Sequence, residues 1–272
     1  MSDILWKAAL HPPADGPVEC RVYELWGCDT KIPRVACFHQ DLEELVRLPE
    51  PRHYQVLNRS GLLMIAAAMQ GSAELQPYLL DDPYSVGIYC ATQKGPKGEE
   101  SARKMAWVTD DRFASAYKAA RTSKTFFKEI TNIPPSQLGI AMGIMGPQKV
   151  FSHSRWACLH ALEQAEMDLQ NGIVQAALVC SGFSLEEYLL ALRIRRDLAP
   201  ECLLSEGAAA LVLTRGNTMT DWQEELPDST DVFFGTANDL VHIARRGKDK
   251  ACTASPAPVQ TSGLSSSRSC HG

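Results

Sequence analysis

The chain has 272 residues, of which 45% are hydrophobic, and its formal net charge is −5 at pH 7. That hydrophobic fraction is enough for a substantial core in one large or two small domains. A negative net charge gives no general attraction to nucleic acid or to anionic membranes, so neither is expected as a partner. Because the sequence contains neither a long apolar run nor a basic region followed by an apolar core, we expect no membrane span, no signal peptide and a cytoplasmic location.

The nine cysteines are an odd number, and most of them lie in apolar segments. No CxxC pair is present, so a zinc site is not expected, and nothing in the sequence calls for another metal or a cofactor. Free cysteines are often buried as small apolar side chains in reducing compartments. We therefore interpret these residues as core thiols.

The first half of the chain alternates apolar segments with turn signals. Residues 4–10 are predicted to form a strand, and residues 11–53 an irregular lead-in. A strongly apolar helix is expected from near residue 54 to residue 70. An alternating, β-branched strand over 85–92 follows, and a further helix over 134–145 has proline at an early, allowed position.

The most informative segment runs from Gly146 to Gly182 and is predicted to form a strand, a sharp turn, a long helix and a second strand. Within residues 156–170 the apolar residues recur at helical spacing, as one buried stripe would require. These residues are Cys158, Ala161, Leu162, Ala165 and Leu169. Asn171 and Gly172 then end the helix because both tolerate a positive φ, and residues 173–179 are apolar enough for a strand buried on both faces.

This segment resembles the central unit of the β-ketoacyl synthases, which have the thiolase-like fold. Residues 204–213 are similar to the Glu-Gly-Ala strand of that family, and residues 132–140 are similar to the segment that leads into its Gly-Pro. The resemblance covers roughly residues 54–214. It implies a thiolase-like α/β/α layered fold, mostly the N-terminal half of a β-ketoacyl synthase.

The same resemblance places an arginine at the family's nucleophile position. In the family, a cysteine lies eight residues after the proline and seventeen before the glycine that ends the helix. Counting from Pro147 and from Gly172 gives the same residue, Arg155. A guanidinium stays protonated and cannot attack a thioester, so we expect no catalytic residue there and no activity of the chain on its own.

Two residues leave other interpretations open. Cys158 lies three residues beyond Arg155, on the apolar stripe, where it should be buried and inert. The alternative is a divergent condensing acyltransferase that uses Cys158 as its nucleophile. Phe234, in a strand predicted over 231–236, resembles the position of a family histidine, although the spacing to residues 204–213 is shorter than in the family. His153 and His160 are interpreted as loop or surface histidines because neither has a partner in the sequence.

The resemblance to chain-length-factor subunits implies a partner. Such subunits pair with an active ketosynthase in fatty-acid or polyketide biosynthesis. For this chain the resemblance implies a heterodimer with an active ketosynthase, or else a homodimer. The active members of the family are 3-oxoacyl-(acyl carrier protein) synthases. The residues implied at the interface or acyl tunnel are Val150, Phe151, Arg155 and Trp156. An acyl carrier protein is a further partner, with Arg193, Arg195 and Arg196 as its docking site. The interpretation that we favour for three arginines at a helix end is a favourable interaction with the helix dipole.

The composition changes near Arg245. Residues 245–272 are rich in Ser, Pro, Lys and Arg and have almost no apolar side chains, so they are predicted to be a disordered, low-complexity tail. Residues 1–244 form the predicted ketosynthase-like domain. The second half of the family's fold has no counterpart in the sequence, which leaves three explanations: a naturally short relative, a frameshifted end, or a truncated domain without function.

Overall fold

A computed structural model describes residues 3–13, 16–25, 28–39, 42, 46, 48, 51–92, 105, 108–120, 123–152, 156–186, 188–217, 220–227 and 231–246. The strands are β1 (Asp3–Leu10), β2 (Glu19–Leu25), β3 (Cys28–Ala36), β4 (Val86–Ala91), β5 (Gln148–Phe151), β6 (Ala176–Phe183), β7 (Leu203–Ser205), β8 (Gly207–Thr214) and β9 (Val232–Phe233). The α-helices are α1 (Arg59–Met69), α2 (Ser72–Asp81), α3 (Phe113–Ala120), α4 (Ser123–Lys128), α5 (Ile133–Met142), α6 (Ala157–Gln170), α7 (Tyr188–Asp197) and α8 (Asn238–Arg245).

The larger sheet has five strands in the order β1-β8-β6-β4-β5. Strands β5, β4 and β6 are parallel to one another, whereas β8 is antiparallel to both β6 and β1. Every residue of β4 and β6 is buried, as expected for central strands that are covered on both faces.

Alternation along β6 assigns its side chains to two cores. Ala177 and Val179 face the core that contains α6 and α8, whereas Leu178 and Cys180 face the core that contains α1 and α5. Helix α1 packs on β6 and β8, and α6 packs on β4 and β6 from the opposite side. The predicted α/β/α layering is therefore confirmed.

The helix and turn predictions in the central segment are confirmed within a few residues. The predicted stripe of α6 is buried along its whole length. Gly172 follows the helix with φ of +68°, a conformation that glycine adopts without steric cost. The next strand begins at Ala176 instead of Ile173, which is 53% exposed.

The prediction that residues 11–53 are irregular is wrong, because β2 and β3 form an antiparallel hairpin there. Pro33 lies inside β3 and Arg34 has φ of +53°. The pairing register shifts opposite them, between Glu19 and Cys20, which is typical of a β-bulge. A proline and a bulge both disrupt the alternation by which a strand is recognised in a sequence.

The resemblance of residues 204–213 to one strand of the family implies a single strand there, and this expectation is also wrong. It is split at Glu206, so that β7 joins a four-stranded sheet of order β2-β3-β7-β9 while β8 joins the larger sheet. The Glu206 carboxylate is fully buried and accepts hydrogen bonds from Arg59 at 2.9 and 3.0 Å. It also accepts from the backbone N–H groups of Phe38 at 3.0 Å and Leu185 at 3.1 Å. One buried carboxylate therefore connects both sheets to α1.

The strand predicted over 231–236 is shorter than expected. It comprises only β9, after which Gly235–Ala237 forms a 3-10 turn that leads into α8. Helix α8 ends at Arg245. Residues 247–272 of the predicted tail lie outside the described residues.

Candidate functional site

The turn between β5 and α6 is where the resemblance places the nucleophile. Arg155 and His153 lie outside the described residues, so the predictions for them remain predictions. Trp156 is 39% exposed and immediately precedes α6. His160 is exposed on α6, and its ring centroid lies 6.5 Å from that of Phe151.

Cys158 lies in the first turn of α6 and is 1% exposed. Its thiol donates a hydrogen bond to the backbone carbonyl of Thr236, with a sulfur–oxygen distance of 3.0 Å. Burial raises the pKa of Cys158 to about 12. The side chain is therefore a protonated, enclosed thiol at neutral pH, whereas a cysteine nucleophile reacts as an accessible thiolate.

Phe234 is fully buried, and its segment contacts the start of α6 through Thr236. The fold thus brings Cys158 next to the segment that contains Phe234. Whether Phe234 stands at the position of the family's histidine remains a prediction. Its ring lies 6.0 Å from that of His11 and 5.8 Å from that of His242, measured between centroids.

The sequence analysis did not single out His11 and His242. They belong to distant parts of the chain, so no spacing pattern could have associated them. Burial, together with the charge of Arg245, lowers the pKa of both histidines. Among the described residues, the buried Nε2 atom of His242 has no hydrogen-bond partner. The histidines are therefore neutral packing partners of Phe234 at neutral pH.

Strand β5 forms one edge of the larger sheet, where β4 is its neighbour. The backbone carbonyls of Pro147 and Phe151 accept hydrogen bonds from Ile88 and Thr92, respectively, on the β4 side. Because backbone groups alternate in direction along a strand, Lys149 also faces β4. The N–H and C=O groups of Gln148 and Val150 consequently point outward, and Val150 is a partly buried residue of this edge.

Lys149 attaches the edge strand to α6. Its ammonium lies 2.6 Å from the carboxylate of Asp168, which also accepts a 2.6 Å hydrogen bond from the hydroxyl of Tyr89. The pKa of Asp168 is lower than its ordinary value. Burial alone would raise it, but the hydrogen bonds that the carboxylate accepts from Lys149 and Tyr89 have the larger, opposite effect. Phe151 is on the same side of β5 and packs against the core around α6. Phe151 therefore packs within the chain, and the prediction that Val150, Phe151 and Trp156 lie at an interface remains a prediction.

The arginines of α7 divide into two groups. Arg195 donates hydrogen bonds to the carbonyls of Leu198, Ala199 and Cys202 just beyond the helix. It therefore ties the turn that follows α7 to the last turn of the helix. Arg193 and Arg196 are exposed, and Arg196 pairs with the adjacent Asp197 at 3.1 Å.

Within the described ranges, no three His, Cys, Asp or Glu side chains lie close enough together to hold a metal ion. None of the helices in those ranges is both long and apolar enough to cross a membrane.

No protein-family model and no curated protein matches this sequence. Solved structures do match. A ketosynthase in complex with its chain length factor from Xenorhabdus doucetiae is 14% identical, with a TM-score of 0.56 over 79% of this chain and 58% of that chain. A type II polyketide synthase acyl-carrier protein in complex with its ketosynthase bound to the hexaketide is 20% identical, with a TM-score of 0.53 over 67% of this chain and 53% of that chain.

At these identities the likeness shows the fold. The fold is that of the ketosynthases and chain length factors, so the predicted thiolase-like architecture is confirmed. The chain spans a little over half the length of these two structures.

Proposed function

We propose that this chain is a non-catalytic, ketosynthase-like subunit that acts by pairing with an active ketosynthase, in the manner of a chain length factor. The observation that supports this most directly is the start of α6, where a condensing enzyme needs a reactive thiol. The sequence has Arg155 at that position, and the neighbouring Cys158 is enclosed with a raised pKa. The chemistry of acyl transfer is therefore assigned to the partner.

The surface proposed for pairing is the outer edge of β5, together with Trp156 at the start of α6. Unpaired backbone groups along an exposed edge strand readily pair with a strand of another chain. Trp156 adds a large, partly exposed apolar side chain beside that edge. The occupant is a ketosynthase, or a second copy of this chain, in fatty-acid or polyketide biosynthesis. An acyl carrier protein that docks at Arg193 and Arg196 is the second proposed partner.

Replacing Val150 with proline tests the pairing while sparing the fold. Proline lacks an N–H, and an edge strand tolerates it where that N–H faces outward. Losing one interchain hydrogen bond and adding the ring's bulk should weaken pairing by about tenfold or more. The matched control is Val150→Ala, which keeps the N–H and removes most of the side chain.

The assay is co-purification of the tagged chain with an intact ketosynthase, or self-association if the partner is a second copy. Pairing should be lost in Val150→Pro and retained in Val150→Ala, with both variants folded by circular dichroism. A soluble wild-type monomer that binds no ketosynthase would overturn the proposal, and a Cys158-dependent acyl adduct would favour the condensing enzyme instead.

A further inference from the structure

Three helix-to-strand connections meet at one end of the larger sheet. Helix α2 leads into β4, α5 into β5 and α6 into β6. Because β5, β4 and β6 are parallel neighbours, these connections lie together at the amino ends of the strands. Trp156 and the start of α6 are at the opposite, carboxyl ends.

Each connection exposes two large apolar side chains, one in the last turn of the helix and one in the loop that follows. We call these six residues, each at least half exposed, the amino-end patch. They are Leu80 and Tyr84 after α2, Ile140 and Met145 after α5, and Met167 and Ile173 after α6. Apolar side chains that are scattered singly over a surface are normal, whereas a contiguous patch of them marks an interaction site.

Backbone hydrogen bonds make the three loops one surface. The N–H of Met145 donates to the carbonyl of Pro83 at 2.9 Å, and the N–H of Gln175 donates to the carbonyl of Ser85 at 2.7 Å. The loop that contains Tyr84 is therefore held between the other two, as β4 lies between β5 and β6.

The exposed charges of these connections are acidic. Residues 80–85, 140–147 and 167–175 are all described, and their exposed or partly exposed charges are Asp81 and Asp82. The Asp82 carboxylate accepts a 2.9 Å hydrogen bond from the N–H of Tyr84, which places it beside the patch. Asp168 does not contribute, because it is buried and paired with Lys149.

Two further charges lie at the same end of the sheet, beyond β6. Arg215 directly follows β8, and Asp3 begins β1 opposite Thr214. Their signs are opposite, so Asp81 and Asp82 determine the negative net charge of this surface. A second copy of the chain would bring the same acidic groups to the contact, and an anionic membrane would be repelled as well. A partner with apolar side chains and positive charges fits both features.

We propose that the amino-end patch binds a basic amphipathic helix of another protein. Helices α2 and α5 pack on one face of the sheet and α6 on the other, so the patch extends roughly 20 Å across the sheet. A helix of about 14 residues has this length, and its width of about 10–12 Å covers the neighbouring strands β5, β4 and β6. This binding needs neither a ketosynthase nor the edge of β5.

Two synthetic peptides of about 14 residues test the site on the full chain. Both repeat one amphipathic pattern of leucine and a charged residue, which is lysine in the first and glutamate in the second. The readout is the methyl signals of a protein with carbon-13-labelled methionine methyl groups. The lysine peptide should shift Met145 and Met167 saturably, with a dissociation constant on the order of ten micromolar, and leave the buried Met64 unshifted. The glutamate peptide should bind at least about tenfold more weakly.

Paired substitutions separate the patch from a general attraction between a basic peptide and an acidic chain. Ile173→Ser keeps the N–H that donates to Asp168 and should weaken binding by roughly fivefold to tenfold. Its control, Val22→Ser, removes a similarly exposed side chain from β2 in the other sheet and should change nothing. Asp81→Asn should weaken binding by roughly twofold to fivefold, whereas Asp111→Asn, at an exposed carboxylate before α3, should not.

Three results would each overturn the assignment. The first is equal binding of the two peptides, and the second is the absence of a saturable shift at Met145. The third is a loss in Val22→Ser as large as that in Ile173→Ser. Shifts at Met145 with phosphatidylglycerol vesicles but not with the lysine peptide would assign the surface to a membrane instead.

Discussion

The buried ion pair between Arg59 and Glu206 gives the sharpest prediction of stability. The Glu206 side chain has no exposed surface, whereas that of Arg59 is 22% exposed. Arg59→Met therefore removes two donors and leaves a buried carboxylate with only the backbone N–H groups of Phe38 and Leu185. Breaking a buried pair in this way costs about 3–5 kcal/mol of unfolding free energy. At about 2–4 °C per kcal/mol, the thermal midpoint should fall by roughly 6–20 °C.

Chemical denaturation and thermal melts of three variants would measure this effect. Arg59→Lys keeps the positive charge but cannot donate both hydrogen bonds to the Glu206 carboxylate in the same geometry. Its stability should therefore lie between that of the wild type and that of Arg59→Met. The double variant Arg59→Met with Glu206→Gln should be more stable than Arg59→Met alone, because the unpaired buried charge is gone. If Arg59→Met melts within a degree of the wild type, or if Glu206→Gln gives no rescue, Glu206 does not connect the two sheets as described.

Three further outcomes are expected. Incubation with acetyl- or octanoyl-CoA should give no thioester by intact-protein mass spectrometry; an adduct that disappears in Cys158→Ala would contradict this. Because the folded-state pKa values of His11 and His242 lie below the ordinary value, these two histidines should leave the unfolding free energy unaffected above about pH 6.5 and lower it increasingly as the pH drops below that value; His242→Leu should make this decrease less steep in urea titrations, and an unchanged steepness would refute the assignment to these histidines. Deleting residues 247–272 should leave the thermal midpoint unchanged, because Arg246, which donates to Glu225 at 2.8 Å, is kept; a drop of several degrees would show that the tail packs.

Helix α6 was predictable because its periodicity survives in the sequence. The stripe that includes Cys158 and Leu169 alternates with polar positions over four turns, and Gly172 marks its end. The break at Glu206 was not predictable, since apolar residues lie on both sides of it and the contacts of Glu206 with Arg59, Phe38 and Leu185 are all tertiary. A hairpin interrupted by Pro33 gives no clean alternation either.

The candidate site was predictable in part. Its location at the start of α6 followed from the resemblance, and the burial of Cys158 followed from the apolar stripe. The packing of Phe234 against His11 and His242 was not predictable, because the contact with His11 joins distant parts of the chain and no local sequence pattern indicates it.

Hydrogen exchange of the individual amides of β5 is the most direct test of the pairing account. In the free chain, the amides of Lys149 and Phe151 should be protected by β4, whereas those of Gln148 and Val150 should exchange freely. On addition of an intact ketosynthase, or at concentrations where the chain self-associates, the Gln148 and Val150 amides should become protected as well. If the Val150 amide exchanges equally fast in the free and the associated states, the partner does not bind at the edge of β5 and the proposed pairing surface is wrong.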